Sequence, residues 1–202
     1  VSINKNKVRG FKEALTSDPI SAFGGIVSCN FKINTRVAAE LTKTYFEVII
    51  GNSYENSAIK VLKKRKNLRI IDSSKIKLQN INSIISNFNS LLIQSPDNKK
   101  FETKNFQIVS KKKPSSKILR ELMFALNVCR YVKSNAIVLT SNARTVGIGS
   151  GQPSRLDSCK IAIDKMHNFQ KIKDSDEVVA ASDAFFPFVD GIETLVQAGV
   201  SA

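Results

Sequence analysis

The stretch Thr145-Val-Gly-Ile-Gly-Ser-Gly-Gln-Pro-Ser-Arg155 decides the reading of this chain. Its β-branched head fits a strand, three alternating glycines end that strand, and Ser154-Arg155 can open a helix. Two readings follow. Backbone amides at a helix N-terminus, with no Cβ in the way, form a cradle for an anion, to which Arg155 adds a forked donor. Alternatively, the glycines serve close packing in a tight turn. The spacing departs from the dinucleotide fingerprint, because Gln152 stands where a third glycine would follow Gly147 and Gly149.

Outward from this turn, strand and helix patterns alternate. Ser115 or Ser116 can cap a helix whose Ile118, Leu122, Leu126 and Cys129 share a face, and Ala136–Leu139 reads as the strand after it. Ser154–Met166 reads as a helix with Leu156, Cys159 and Ile163 inward, followed by a strand at Val178–Ala181 and a helix at Gly191–Ala198. In the first half, strands are expected at Ile26–Ser28, Glu47–Ile50 and Leu68–Ile71. Between them lie helices at Thr35–Thr44, with Val37, Ala38 and Leu41 inward, and at Glu55–Lys66, with Ile59 and Leu62 inward. This alternation predicts an α/β fold of parallel strands joined by crossover helices.

Between Ser73 and Pro114 the pattern loosens around two apolar runs, Ser90–Ile93 and Phe106–Val109. The break at Ser110-Lys-Lys-Lys-Pro-Ser115 suggests a joint between a unit at 1–110 and another at 111–202. Val1 in place of Met, and a closing Gly199-Val-Ser-Ala202 that reads as a helix-ending glycine and the start of a strand, give the expectation of a fold incomplete at both ends.

With 42% hydrophobic residues over 202 positions, the chain can bury a real core. Its apolar runs are far too short to cross a bilayer and no leader opens it, so the cytoplasm is the expected location. Cys29, Cys129 and Cys159 lack Cys-x-x-Cys spacing and read as small buried hydrophobes; no metal site is expected. The 31 Lys and Arg against 17 Asp and Glu, a formal charge of +14, set up a field that draws anions. The basic runs Lys63–Lys66 and Lys111–Lys113 lack interleaved aromatics, which favours a solvated face over a nucleic-acid patch.

Three further segments carry candidate chemistry. Ser182-Asp-Ala-Phe-Phe-Pro-Phe188 follows a strand at the edge where open α/β sheets bind ligands. There Phe185, Phe186 and Phe188 could wall a slot for a flat ring whose polar edge meets Asp183 or Asp190; alternatively, the phenylalanines plug the core and Asp190 caps a helix. Lys133-Ser134-Asn135 could orient an amide-bearing substrate, although such a loop is commonplace. Ser17–Gly25, with Asp18 before a proline, is a turn by its chemistry alone. His167, the lone histidine, reads as a surface residue after a helix and is given no role.

Together these segments resemble the AICAR (5-aminoimidazole-4-carboxamide ribonucleotide) transformylase domain of the bifunctional purine-synthesis enzymes. The matching stretches are SDPISAFGGIVS at Ser17–Ser28, FEVII at Phe46–Ile50, KNLRII at Lys66–Ile71, VKSNAIVL at Val132–Leu139, TVGIGSGQPSRLDS at Thr145–Ser158 and ASDAFFPFVDGIE at Ala181–Glu193, in family order. The resemblance implies a duplicated cytidine-deaminase-like three-layer α/β/α sandwich without catalytic zinc, working as a homodimer and normally fused to an IMP cyclohydrolase domain. Its reaction would move a formyl group from 10-formyltetrahydrofolate, the co-substrate, to the 5-amino group of AICAR.

Residue by residue, the resemblance makes Asn135 the asparagine that holds the nucleotide's carboxamide, Arg155 a nucleotide contact and Asp18 a substrate contact. Phe185 and Asp190 become liners of the folate and nucleotide pocket, Phe186 and Pro187 join the folate wall, and Lys133 stands beside Asn135 as a catalytic candidate. The family's adjacent Lys-His pair, in a Lys-His-x-x-Pro-x-Gly segment before Ser-Asp-Pro, does not occur in these 202 residues, so the chain alone is expected to bind without turning over. Pro153 stands where the family usually has Met or Gln, and Tyr131 replaces a usual histidine. The competing expectations are a basic nucleic-acid-binding module and a non-catalytic assembly domain. The transferase reading requires that the Arg155 turn and the Phe185 loop share one cavity.

Overall fold

The computed structural model describes residues 1–77, 81–173 and 175–202. Helix α1 (Lys7–Leu15) starts where the Asn6 side chain accepts from the Arg9 amide at 3.1 Å, filling one orphan donor of the first turn. Strands β1 (Gly25–Ile33), β2 (Phe46–Tyr54) and β3 (Arg69–Asp72) form a parallel sheet in that order, joined by α2 (Thr35–Leu41) and α3 (Asn56–Leu62). Asn34 caps α2 through the Val37 amide at 3.0 Å. Ile33, Val37, Ala38, Leu41, Ile49 and Leu62 close this core. The basic run Lys63–Lys66 just beyond α3 is exposed, as is Lys111–Lys113, which fits solvated faces.

Strands β4 (Ser83–Asn87) and β5 (Ser90–Gln94) make a separate antiparallel ribbon, exposed along its length. The apolar run Ser90–Ile93 is therefore a strand, whereas Phe106–Val109 adopts no helix or strand.

The second sheet has the order β7-β6-β8, with β6 (Ile137–Ser141), β7 (Arg144–Gly149) and β8 (Val179–Ser182). Here the expectation of parallel strands throughout is corrected: β6 is antiparallel to both neighbours. Asn142 and Ala143, at φ 53° and 57°, turn the chain straight back from β6 into β7, far too short a link for a parallel crossover. Glu121 steadies this turn by accepting from the Ala143 amide at 2.9 and 3.2 Å.

All five residues of β6 are buried. Ile137 and Leu139 pack with α5 (Arg155–Phe169) and α6 (Asp190–Gln197), while Val138 packs with Ile118, Ala125 and Cys129 on the face of α4 (Ser116–Cys129). This half is thus three layers, helix on sheet on helix. Ser115 caps α4 through the Ile118 amide at 3.2 Å. Val200 bridges Val178 in parallel after Gly199, which takes φ 85° at the end of α6. All three cysteines are buried and unpaired.

The first residues cross to this second sheet. The Ile3 amide donates to Ala143 O and the Thr145 amide to Val1 O, each at 2.9 Å, and Thr145 Oγ1 donates to Ser17 Oγ at 3.0 Å. Among the described residues no helix is long and apolar enough to cross a membrane.

Candidate ligand cleft

The carboxyl ends of β7 and β8 lie on one edge of the second sheet, because both run opposite to β6. The loops leaving them, together with the loop entering β6, enclose a cavity of about 360 Å³ that Asn135, Arg155, Phe185, Phe186, Pro187 and Asp190 all line. The glycine-arginine turn and the phenylalanine loop therefore share one cleft.

The glycines serve packing. A Cβ on Gly147 would stand 2.0 Å from Ala162 O and one on Gly149 1.9 Å from Ser158 O, so their absence lets β7 run directly against α5. Gly151, at φ 68°, turns the chain; its amide donates to Lys133 O at 2.8 Å, while the Asn135 amide donates to Gln152 O at 3.3 Å. These amides zip the turn to the Lys133–Asn135 loop rather than leaving an open anion cradle.

Arg155 is held from three sides. Its Nη1 donates to Asp183 Oδ1 at 2.6 Å and Ser182 Oγ at 2.7 Å, and its Nη2 to Asn135 Oδ1 at 2.8 Å. Asn135 in turn donates through Nδ2 to Gln152 O at 2.8 Å and Pro153 O at 3.0 Å. Pro153 thus contributes a backbone carbonyl to the site. Asp183 also accepts from the Ser134 hydroxyl and, at 2.9 Å, from the Ala136 amide. Burial pulls the Asp183 carboxyl upward, but the Arg155, Ser134 and Ala136 donors override it and hold the group at about 2. Asp183 is therefore ionised and spent on Arg155, not offered to a ligand.

Phe186 tucks beneath the cleft against Gly191, with the Arg155 Cζ 5.8 Å from its ring centroid. Phe185 and Phe188 stay outside, 80% and 73% exposed, as walls rather than core plugs. Asp190 lines the cavity as the first residue of α6; the cap position belongs to Val189 and no side chain caps the helix, so the reading of Asp190 as the cap is corrected, and its Oδ1 accepts from the adjacent Gly191 amide at 2.7 Å.

Two candidates lie apart. Asp18 is ion-paired to Lys165 at 2.6 Å, and Lys165 stands ten residues along α5 from Arg155, roughly 15 Å at the helical rise. Lys133 is exposed and does not line the cavity; its carbonyl accepts from Gly151. His167 sits within the last turn of α5 rather than after the helix, because α5 runs on to Phe169. Tyr131 is 82% exposed, with the Arg130 guanidinium 5.6 Å from its ring centroid.

Sequence reasoning missed Ser182 and Ser134, and it aimed Asp183 at the ligand. A Ser-Asp pair closing a strand next to an arginine that opens a helix was the available signal. Burial pushes the Cys129 and Cys159 thiols up to about 11, which removes them as nucleophiles near neutrality. Among the described residues no three His, Cys, Asp or Glu side chains group to hold a metal ion. A smaller cavity of about 190 Å³ beside Tyr45 and Arg65 contains none of the candidate residues.

A polar cluster beside exposed aromatic rings lines a cleft at the carboxyl edge of a layered sheet, in an α/β protein. The chain belongs to the AICARFT/IMPCHase bienzyme family, whose profile matches residues 1–165. It is 37% identical to the bifunctional purine biosynthesis protein PurH of Prochlorococcus marinus (strain AS9601), over 100% of this chain and 38% of that protein. It is 38% identical to PurH of Nostoc punctiforme (strain ATCC 29133 / PCC 73102), over 95% of this chain and 36% of that one. Against PurH of Aquifex aeolicus (strain VF5) the identity is 38%, over 100% and 39%. The chain thus spans well under half the length of the curated relatives it matches.

Proposed function

We propose that this chain forms part of the nucleotide and folate site of an AICAR formyltransferase in purine synthesis. The observation that carries the reading is the single cleft lined by Asn135 and Arg155 on one side and Phe185, Phe186 and Pro187 on the other. The polar side suits the carboxamide-bearing nucleotide, and the aromatic side suits the flat pterin of 10-formyltetrahydrofolate.

In the proposed reaction the 5-amino nitrogen of AICAR attacks the formyl carbon. A tetrahedral oxyanion forms and collapses with cleavage of the carbon–N10 bond; the amine loses a proton and N10 gains one. Asn135 and Arg155 orient the acceptor so that its amine faces the formyl carbon, and the Phe185–Pro187 wall positions the donor. The two-proton traffic requires a base and an acid. With no adjacent Lys-His pair in these residues, that role falls to chain outside them, and the 202 residues alone are expected to bind without catalysing.

Lys133 enters this reading as a basic group outside the cleft lining, and Asp18 as a contact to a site completed across a homodimer. A cytoplasmic location, fusion to an IMP cyclohydrolase domain and the duplicated cytidine-deaminase-like architecture, split near residue 110, belong to the same proposal.

Calorimetric titration tests it. AICAR should bind the chain, and Asn135→Ala or Arg155→Ala should weaken binding roughly tenfold or more, since each removes a half-buried polar group that lines the cleft. Joined to the missing Lys-His segment, the protein should produce formyl-AICAR. Absence of AICAR binding, together with tight, steeply salt-dependent binding of unrelated RNA, would favour the nucleic-acid module instead.

A further inference from the structure

Asp183 is placed unlike any residue to which the family resemblance gives a role. Its carboxylate gathers donors from three separate segments: the Arg155 guanidinium on α5, the Ser134 hydroxyl on the loop before β6 and the Ala136 amide at the start of β6. The pair is well shielded, with 11% of the Arg155 side chain and 18% of the Asp183 side chain exposed.

A guanidinium has five N–H donors. Nη1 spends both of its own on Asp183 and Ser182, and Nη2 spends one on Asn135. Among the described residues no protein group takes the Nε–H or the second Nη2–H. Two donors thus remain without a protein acceptor among the described residues, on a residue that lines the cleft.

We infer that Asp183 is a positioning residue, which fixes the rotation of Arg155 and the register of the Lys133–Asn135 loop so that the unspent guanidinium donors serve the ligand. Without its carboxylate, Ser182 and Asn135 would hold Arg155 by neutral acceptors alone, and Ser134 and Ala136 would lose the acceptor that ties their loop to β8. Fixed geometry of this kind lowers the ordering cost of binding. The effect on AICAR affinity rests on the proposed function; the effect on Arg155 itself does not.

The test uses the whole chain and Asp183→Asn, which keeps the side chain's size and an oxygen acceptor; its thermal midpoint is measured to establish that it folds. NMR of the arginine guanidinium groups, with the Arg155 signals identified by their loss in Arg155→Gln, should show Nη protons resolved in the parent and averaged in Asp183→Asn. AICAR affinity should fall roughly tenfold in Asp183→Asn but change less than about twofold when the same substitution is made in Arg155→Gln. A general loosening of structure would weaken binding in both backgrounds, and that result would overturn the inference. So would an Arg155 that stays locked in Asp183→Asn. If the parent binds no AICAR while the Arg155 signals still collapse in Asp183→Asn, the positioning role stands and the proposed function falls.

Discussion

The two sheets solve burial differently. β6 is covered on both faces, by α5 and α6 on one side and α4 on the other, so each of its five residues is inside. β1 alternates, with Cys29 and Ile33 inward but Ile26 left 67% exposed on the opposite face. The glycines follow the same division. Gly147 and Gly149 stand where backbone meets backbone, whereas a Cβ on Gly51 would meet the tips of Ile33 and Tyr54 at 2.8 Å. The doubly covered sheet is the one that carries the cleft, and the singly covered sheet carries none of its lining. Two-sided packing of β6 fixes the sheet edge from which the cleft's loops leave, while the outer walls Phe185 and Phe188 stay 80% and 73% exposed.

Replacing a side chain in each sheet puts that contrast at risk first. Leu139→Ala empties a site with 0% exposure and should cost about 2–5 kcal/mol, whereas Ile71→Ala, 39% exposed in β3, should stay within about 0.5 kcal/mol. Urea unfolding at constant m reads both, and equal losses would break the contrast. Next come the glycines. Gly149→Ala must displace α5, because the blocking atom is a helix carbonyl, and should destabilise by about 3 kcal/mol; Gly51→Ala, opposed by side-chain atoms, should lose less. A smaller effect belongs to the first sheet, where the Tyr54 hydroxyl lies 2.9 Å from Ile49 O and 3.0 Å from Ile71 O and ties β2 to β3. Tyr54→Phe should cost about 1 kcal/mol in the same measurement while leaving AICAR affinity unchanged.

The same contrast explains what could be read in advance. Val37, Ala38 and Leu41 fall inward on α2, and Ser115 caps α4, because helical period and cap chemistry are local properties of the chain. Strand direction is not local. The parallel expectation held for β1, β2 and β3, which are separated by helices, and failed at β6 and β7, although the short gap between Leu139 and Thr145 already favoured a hairpin. At the site, Arg155 was legible as a motif residue opening a helix and Phe185 as one in the loop after a strand. The partner of Arg155 was not, because Asp183 and Ser182 lie 28 and 27 residues away and meet it only through the packing of β8 beside β6. Asp18 was singled out by motif alone, and its ion pair with Lys165 is a contact that the motif did not foretell.

Acid is the subtlest probe of that packing. Asp183 sits at about 2 in the folded chain against an ordinary 3.8, since Arg155, Ser134 and the Ala136 amide outweigh the opposing effect of burial. A carboxyl lowered on folding contributes stability that is complete above its unfolded value. That contribution is lost as pH falls from about 3.8 towards about 2, where the folded form also takes up a proton. Urea midpoints followed through this window should therefore decline more steeply for the parent than for Asp183→Asn, which has no proton to bind there. The exposed Glu47, ion-paired to Arg69 at 3.9 Å in the singly covered sheet, offers the comparison in neutral buffer: Glu47→Gln should change stability there by less than about 1 kcal/mol, because an exposed pair is worth little. Parallel slopes for the parent and Asp183→Asn would mean that the carboxylate's partners are not held in solution, and the doubly covered sheet would lose its claim to be the more tightly organised half.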